Sequence, residues 1–243
     1  AEEMFTRSLA IHRELGNRRM EGVALGNLAL LYAQSGRLPE AEQGYEQALA
    51  VHREVADRFF EGFSLGNYAN LLHETGRLDL ATRAQLQALA IHREFGNRRS
   101  EGVTLGNLAN LYVDEGRGEL AEQTYAHALA IHREVYNRSG EGITLGNLAD
   151  TYRESGRLEQ AEQAFKQALA IHQEVDNQPF LGAHSCGYGL CLLALGRLAP
   201  AAGVWRDGAR ILRLVGDTGE LERQTATMRE ACARAGVPPF DAE

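Results

Sequence analysis

The sequence predicts an all-α chain, an α-solenoid of antiparallel helical hairpins in tandem. Three observations lead there. First, the chain repeats itself every 40 residues: EGVALGNLA starts at Glu21, EGFSLGNYA at Glu61, EGVTLGNLA at Glu101 and EGITLGNLA at Glu141. Residues 21–58 and 101–138 share 24 identities in 38 positions, far above chance. Second, apolar residues recur at helical spacing in both halves of each unit. Third, helix-starting and helix-stopping residues punctuate the units at fixed places. A hairpin that cannot bury its apolar face alone must stack on copies of itself.

The elements follow in order. Residues 1–16 align with the second half of a unit and are expected to form the second helix of a truncated repeat. With no first helix before them and no initial Met, a fragment of a longer array is expected. An apolar strip around Met4, Phe5 and Leu9 would then be exposed and open to end-to-end self-association. Repeats 1 to 4 occupy 17–56, 57–96, 97–136 and 137–176. Asn17, Asp57, Asn97, Asn137, Asn177 and Asp217 stand one period apart and suit N-caps. In repeat 1 the first helix is expected over about 18–35, with Leu25, Leu28, Leu31 and Tyr32 on its stripe and Gly36 as its stop. The second helix is expected over about 39–55, with Ala41, Tyr45, Ala48, Leu49 and Val51 facing inward. Gly16, Gly96 and Gly216 close second helices. Repeat 5 (177–216) is degenerate: it keeps Gly182, Gly196, Leu198 and Ala201, carries Ser185-Cys186-Gly187 in place of Leu-Gly-Asn, and has Trp205 in place of Tyr45. Residues 217–236, with Leu221, Thr225, Met228, Cys232 and Ala235 in register, read as a capping helix. Residues 237–243 read as a loose tail.

Composition excludes several classes. The 243 residues are 44 % hydrophobic and 24 % charged, which is globular rather than disordered. A net charge of −8 argues against nucleic acid and against an anionic membrane surface as the partner. No apolar run approaches the ~18 residues of a membrane span. Cys186, Cys191 and Cys232 are too few for a disulfide framework and fit free thiols in a reducing, cytoplasmic compartment. Arginine outnumbers lysine 24 to one, Lys166 alone, which points to a high-GC bacterial genome.

The run L-x-x-L-A-x-x-Y-x-x-x-G-R-L-x-x-A-x-x-x-Y-x-x-A-L, Leu25 to Leu49, resembles the tetratricopeptide repeat signature, with its small and aromatic positions on Ala29, Tyr32, Gly36, Ala41, Tyr45 and Ala48. The usual repeat is about 34 residues and often ends near a proline. This one has 40 and lacks that proline, a variety similar to the repeats of kinesin light chains and spindle-orientation adaptors. The resemblance covers essentially the whole chain. It implies a right-handed superhelix, a concave groove lined by the first helices, and a protein or peptide as partner.

The candidate site follows from that implied groove. Val23, Asn27, Leu30 and Gln34 share one face of the first helix. Asn is a mediocre helix former, so its recurrence at Asn27, Asn67, Asn107 and Asn147 needs a reason. A side-chain amide both donates and accepts, so a ladder of amides suits an extended peptide backbone. The competing reading is that each Asn bonds a neighbouring helix. Asn70, Asn110 and Asp150 follow on the same face, with Glu74, Asp114 and Glu154 one turn on and Arg19 and Arg99 at the opposite end. An arginine rim and an acidic rim would set a peptide's direction. Val103, Ile143 and Phe63 supply apolar groove surface.

Other repeated residues read as structural. His12, His52, His92, His132 and His172 stand one per unit and cannot converge on a metal, so they are expected to pack, half-buried. Gly22, Gly62, Gly102, Gly142 and Gly182, with Gly26, Gly66, Gly106 and Gly146, lie inside first helices, where glycine is costly, so close approach of a helix or a bound backbone is expected. No phosphate-loop, zinc-protease or nucleophile-elbow motif occurs, so no catalytic residue, metal ligand or cofactor is assigned. His184 near Cys186 and Cys191 reads as packing. The expected function is a non-enzymatic scaffold that binds an extended peptide. The alternative is a regulatory sensor domain of a larger bacterial signalling protein, a kinase, ATPase or transcription regulator.

Overall fold

The structure, a computed structural model, describes residues 1–241. Among these the chain forms twelve α-helices and no strand, in two compact units. The first unit (1–124) holds α1 (Glu2–Glu14), α2 (Arg18–Gln34), α3 (Leu38–Glu54), α4 (Arg58–Glu74), α5 (Leu78–Glu94), α6 (Arg98–Asp114) and the start of α7 (Gly118–Glu134). The second, from 125 onward, holds the rest of α7, then α8 (Arg138–Glu154), α9 (Leu158–Glu174), α10 (Gln178–Ala194), α11 (Leu198–Val215) and α12 (Thr218–Ala235). Each unit is a stack of helical hairpins, α2 with α3 and α4 with α5 in the first, α8 with α9 and α10 with α11 in the second.

Local chemistry sets the helix ends. The Asn17 side chain accepts from the Met20 N–H at 3.2 Å, and Asp57, Asn97, Asn137 and Asp217 cap in the same way. Asn177 makes no such bond and donates instead to the Ser139 hydroxyl. First helices stop in a left-handed glycine: at Gly36 φ is +74°, and the Arg37 N–H reaches back to the Tyr32 carbonyl at 2.9 Å. Where the second-helix stop lacks glycine, Ala56, Tyr136 and Asp176 take positive φ values of 52–54°.

Small residues let the two helices of a hairpin close on each other. Ala29, Ala41 and Ala48 are fully buried, and Tyr45 fills the space between α3 and Leu71 of α4. The first glycine set serves the same contact. A Cβ on Gly22 would lie 2.7 Å from the His52 ring, one on Gly142 2.9 Å from Ile171 and 3.0 Å from His172. Four of the five periodic histidines, His52, His92, His132 and His172, are therefore buried outright rather than half-buried; only His12 is intermediate. The second set is not uniform: a Cβ on Gly66 would meet nothing within 4 Å and one on Gly26 nothing closer than the Ser64 hydroxyl at 3.4 Å, whereas one on Gly146 would collide with the His184 ring.

An ionic clamp recurs beside these contacts. Buried Glu21 accepts from Arg13 at 2.9 Å and from Arg18 at 2.5 Å; Glu61, Glu101 and Glu141 do the same with Arg53 and Arg58, Arg93 and Arg98, and Arg133 and Arg138. Burial pushes each carboxyl up, but the two guanidinium hydrogen bonds outweigh it and hold it below the usual range. Each clamp ties the first helix of a hairpin to the second helix before it.

Two expectations at the ends need correction. Leu9 and Phe5 are not an exposed strip: they pack with Ala24, Leu25, Leu28 and Val51, and the exposed apolar residues of the α1 segment are Met4, Ile11 and Leu15. The segment after α12 is not loose through residue 241. Phe240 is buried at 3 % exposure against Trp205, its N–H points at the Met228 sulfur, and Arg206 donates to its carbonyl at 2.7 Å. An aromatic anchor and a hydrogen bond to its backbone carbonyl hold the segment in place. Residues 242–243 of the expected tail lie outside the described residues.

Candidate functional site

The first unit carries two adjoining hollows lined by its first helices. One, of about 270 Å³, lies between α2 and α4, with Asn27, Phe59, Phe63 and Asn67 among its walls. The other, of about 520 Å³, is lined from α4, α5 and α6, with Phe63, Asn67, Asn70, Gln85, Arg99 and Asn107 among its residues. The first helices face these hollows because the clamp and the glycine–histidine contacts fix their opposite faces against the second helices.

The periodic asparagines divide into two kinds. Asn27 and Asn67 have no hydrogen-bond partner among the described residues, whereas Asn107 Nδ2 donates to Asn70 Oδ1 at 3.2 Å. In the second unit, His184 Nε2 donates to Asn147 Oδ1 at 3.3 Å. Both readings of the ladder thus find members: two open amides, and two amides joined to a neighbouring helix.

The charged rims are more occupied than the sequence suggested. Arg19 donates to Asp57 at 2.7 Å, Asp114 meets His73, and Arg153 bonds both Asp150 and Glu154. Arg99 and Glu74 are exposed and have no partner among the described residues. Asn110 is half-buried on α6. Asp150, Asn147 and Glu154 belong to the second unit and are not among the residues lining the two hollows of the first.

Sequence reasoning missed Gln85. Tyr45, Tyr125, Phe165 and Trp205 occupy the same repeat position and are buried aromatics; Gln85 is equally buried but polar. Its Nε2 donates to Asn70 Oδ1 at 3.1 Å and, more weakly, to the Gly66 carbonyl at 3.4 Å. The signal was available as the single polar residue in an otherwise aromatic column. A cluster of Phe59, Phe60, Phe63 and Phe95, with ring centroids 5.3–6.4 Å apart, was also only partly foreseen. Phe63 remains 38 % exposed.

Titratable chemistry is sparse. Burial pushes His52 and His92 below the ordinary imidazole value, so both are neutral at neutral pH. All three cysteines are buried free thiols, with Cys186 pushed up to about 12 and Cys191 to about 11 by burial. His184 bonds His172 at 2.9 Å and Asn147, not a thiol. Among the described residues no group of His, Cys, Asp and Glu could hold a metal ion, and no helix is long and apolar enough to cross a membrane.

Comparison with known proteins follows this geometry. No curated protein sequence matches. Among solved structures the chain is similar to BtubC (BKLC) from P. vanneervenii, at 22 % identity over 88 % of this chain and 91 % of that one, TM-score 0.73. It is similar to a putative kinesin light chain of nearly identical repeats from Podosopora anserina, at 20 % identity over 79 % and 95 %, TM-score 0.60. It is also similar to a Rap protein solved in complex with Competence and Sporulation Factor, at 15 % identity over 92 % and 66 %, TM-score 0.65. Identities this low speak to the fold alone. The tetratricopeptide repeat family profile, however, matches five overlapping segments, residues 1–54, 21–94, 60–134, 100–174 and 140–213. With nearly the whole chain matched and two helices in each of the five repeats, the chain belongs to the tetratricopeptide repeat family.

Proposed function

We propose that the chain is a non-enzymatic interaction module that binds an extended peptide segment along α2, α4 and α6 of its first unit. Repeat arrays of this family work as protein-binding surfaces, which supports the broader class. One observation carries the finer reading: Asn27 and Asn67, one repeat apart, offer unpartnered amides beside the half-exposed Phe63. A backbone amide of a peptide can bond each of them, and the phenylalanine supplies apolar surface for a side chain between the two. Polar groups that the fold leaves unpaired on a concave surface are available to a ligand without breaking any internal bond.

The test is selection of twelve-residue peptides from a random library on the full chain, followed by the Asn27→Ala/Asn67→Ala variant. Each lost hydrogen bond is worth about 0.5–1.5 kcal/mol, so affinity should fall about tenfold or more. The melting temperature should not fall, because neither side chain bonds the protein and alanine is the better helix former. Selected peptides that bind the variant unchanged, or a wild type that selects none, overturn the reading.

A further inference from the structure

We propose that the larger hollow, at Gln85, is a specificity pocket for a side-chain carboxamide, asparagine or glutamine, of the bound peptide. This rests on the peptide reading above and names the residue the groove selects. Second helices place a buried aromatic at this position of the repeat in Tyr45, Tyr125, Phe165 and Trp205, and α5 alone places an amide there. With Gln85 in that slot and open space beside Gly66, the first unit holds about 520 Å³ of cavity, enough for a side chain.

The hydrogen bonds around Gln85 fix what the pocket offers. Asn70 Oδ1 accepts from both Gln85 Nε2 and Asn107 Nδ2, at 3.1 and 3.2 Å, which fills both lone pairs of that oxygen. Asn70 Nδ2 is thereby left as a free donor, and Asn107 Oδ1 as a free acceptor on the neighbouring helix. Gln85 lines the hollow, and its Oε1 is buried with no hydrogen-bond partner among the described residues, a second unpaired acceptor at the site. A donor and an acceptor side by side match a carboxamide, which has one of each. Phe63 and Val103, 38 % and 46 % exposed, take the methylene stem.

Other occupants fit less well. An aliphatic side chain leaves both amide groups unpaired and loses about tenfold or more in affinity. A carboxylate accepts from Asn70 but sets a second oxygen against Asn107 Oδ1. Arg99 stands exposed at the rim and draws an anion, but an exposed cation adds little. A lysine satisfies Asn107, faces Arg99 and leaves Asn70 unmatched.

Four pools of twelve-residue peptides, random except for a central Gln, Glu, Leu or Lys, distinguish these cases by the fraction retained on the immobilised full chain. The Gln pool should be retained at least tenfold better than the Leu and Glu pools. Gln85→Tyr, which restores the aromatic of the other repeats, should erase that preference without lowering the melting temperature. Asn70→Asp keeps the acceptor that Gln85 and Asn107 use and removes the free donor, so preference should move from the Gln pool to the Lys pool. That second variant decides the matter even if Gln85→Tyr fails to fold. Best retention of the Glu pool, lost on Arg99→Gln, overturns the carboxamide assignment in favour of an anion pocket. Equal retention of all four pools overturns the pocket while leaving the groove reading intact, and retention of none overturns both.

Discussion

At the start of hairpin α8–α9 the buried Glu141 is clamped by Arg138 and by Arg133 of the preceding α7; forty residues on, at the start of α10–α11, the counterparts are Leu181, Gln178 and, on α9, Gln173. All three members changed together. The groove amide changed as well: Asn147 has Gly187 as its counterpart, and a Cβ there would lie 3.1 Å from the Phe165 ring. Thr144 has become His184, whose ring sits on Gly146, and the periodic His172 has become Leu212. Glycines bring α10 and α11 together: a Cβ on Gly208 would lie 2.6 Å from the Gly182 carbonyl, and one on Gly189 2.8 Å from Trp205. With α12 packed on it, α10 is buried along most of its length, from Leu181 to Leu193. The difference teaches that the clamp acts as a set, since a half-clamp would bury an unpaired charge. It also teaches that the groove amide goes where the helix face is covered.

The largest test of this contrast is pH. Burial pushes His172 and His184 down to about 4, with their mutual repulsion adding to it at His172. The folded value lies below the unfolded one, near 6.5, so the unfolded chain takes up protons first as pH falls. Stability is whole above pH 6.5 and declines toward pH 4, by roughly 3 kcal/mol for each histidine across the window. Melting temperature against pH should show this decline. The double variant His172→Leu/His184→Thr, which borrows residues from the corresponding positions of neighbouring repeats, should make it shallower and leave the share of His52 and His92.

Next in size is the clamp. Arg133→Gln/Arg138→Gln strands buried Glu141 and should lower stability in denaturant unfolding by about 3–5 kcal/mol. Adding Glu141→Leu completes the fifth-repeat set and should restore most of the loss. If the triple variant is no better than the double, the clamp is not a set.

Glycine substitutions separate crowded from open helix-interior positions. Gly142→Ala forces a methyl against Ile171 and His172 and should cost about 1–3 kcal/mol. Gly66→Ala meets open space and should gain up to about 1 kcal/mol from helix propensity. The smallest effect is at Tyr136, exposed at φ +53°: Tyr136→Gly should raise the melting temperature slightly, by relief of about 1 kcal/mol of left-handed strain. A fall there would mean that the tyrosine ring contributes more than its backbone costs.

The arginines and glutamates of the clamp were in plain view in the repeated strings, and the i,i+3 spacing of Arg18 and Glu21 on α2 allows that pair, yet nothing said that Arg13 joins them, because Arg13 and Glu21 lie on different helices. Gln85 could be seen as the odd residue in a column of aromatics, but its consequence, a cavity and a fixed Asn70 amide, required the neighbouring helices. The asparagine ladder shows the same limit. Four identical residues at identical spacing split into two open amides and two bonded ones, according to what stands opposite: Asn70 for Asn107, and His184 for Asn147.

The sequence by itself determined the repeat, the helical hairpins and their ends. Those depend on local rules: apolar period, a capping side chain three residues from its amide, and glycine at a left-handed stop. The tertiary structure decided which polar groups are paired, which glycines are crowded, and where the cavities fall. Those depend on contacts between residues on different helices, where one changed neighbour, such as Gln85 for tyrosine, alters the surroundings of a side chain whose own identity is unchanged.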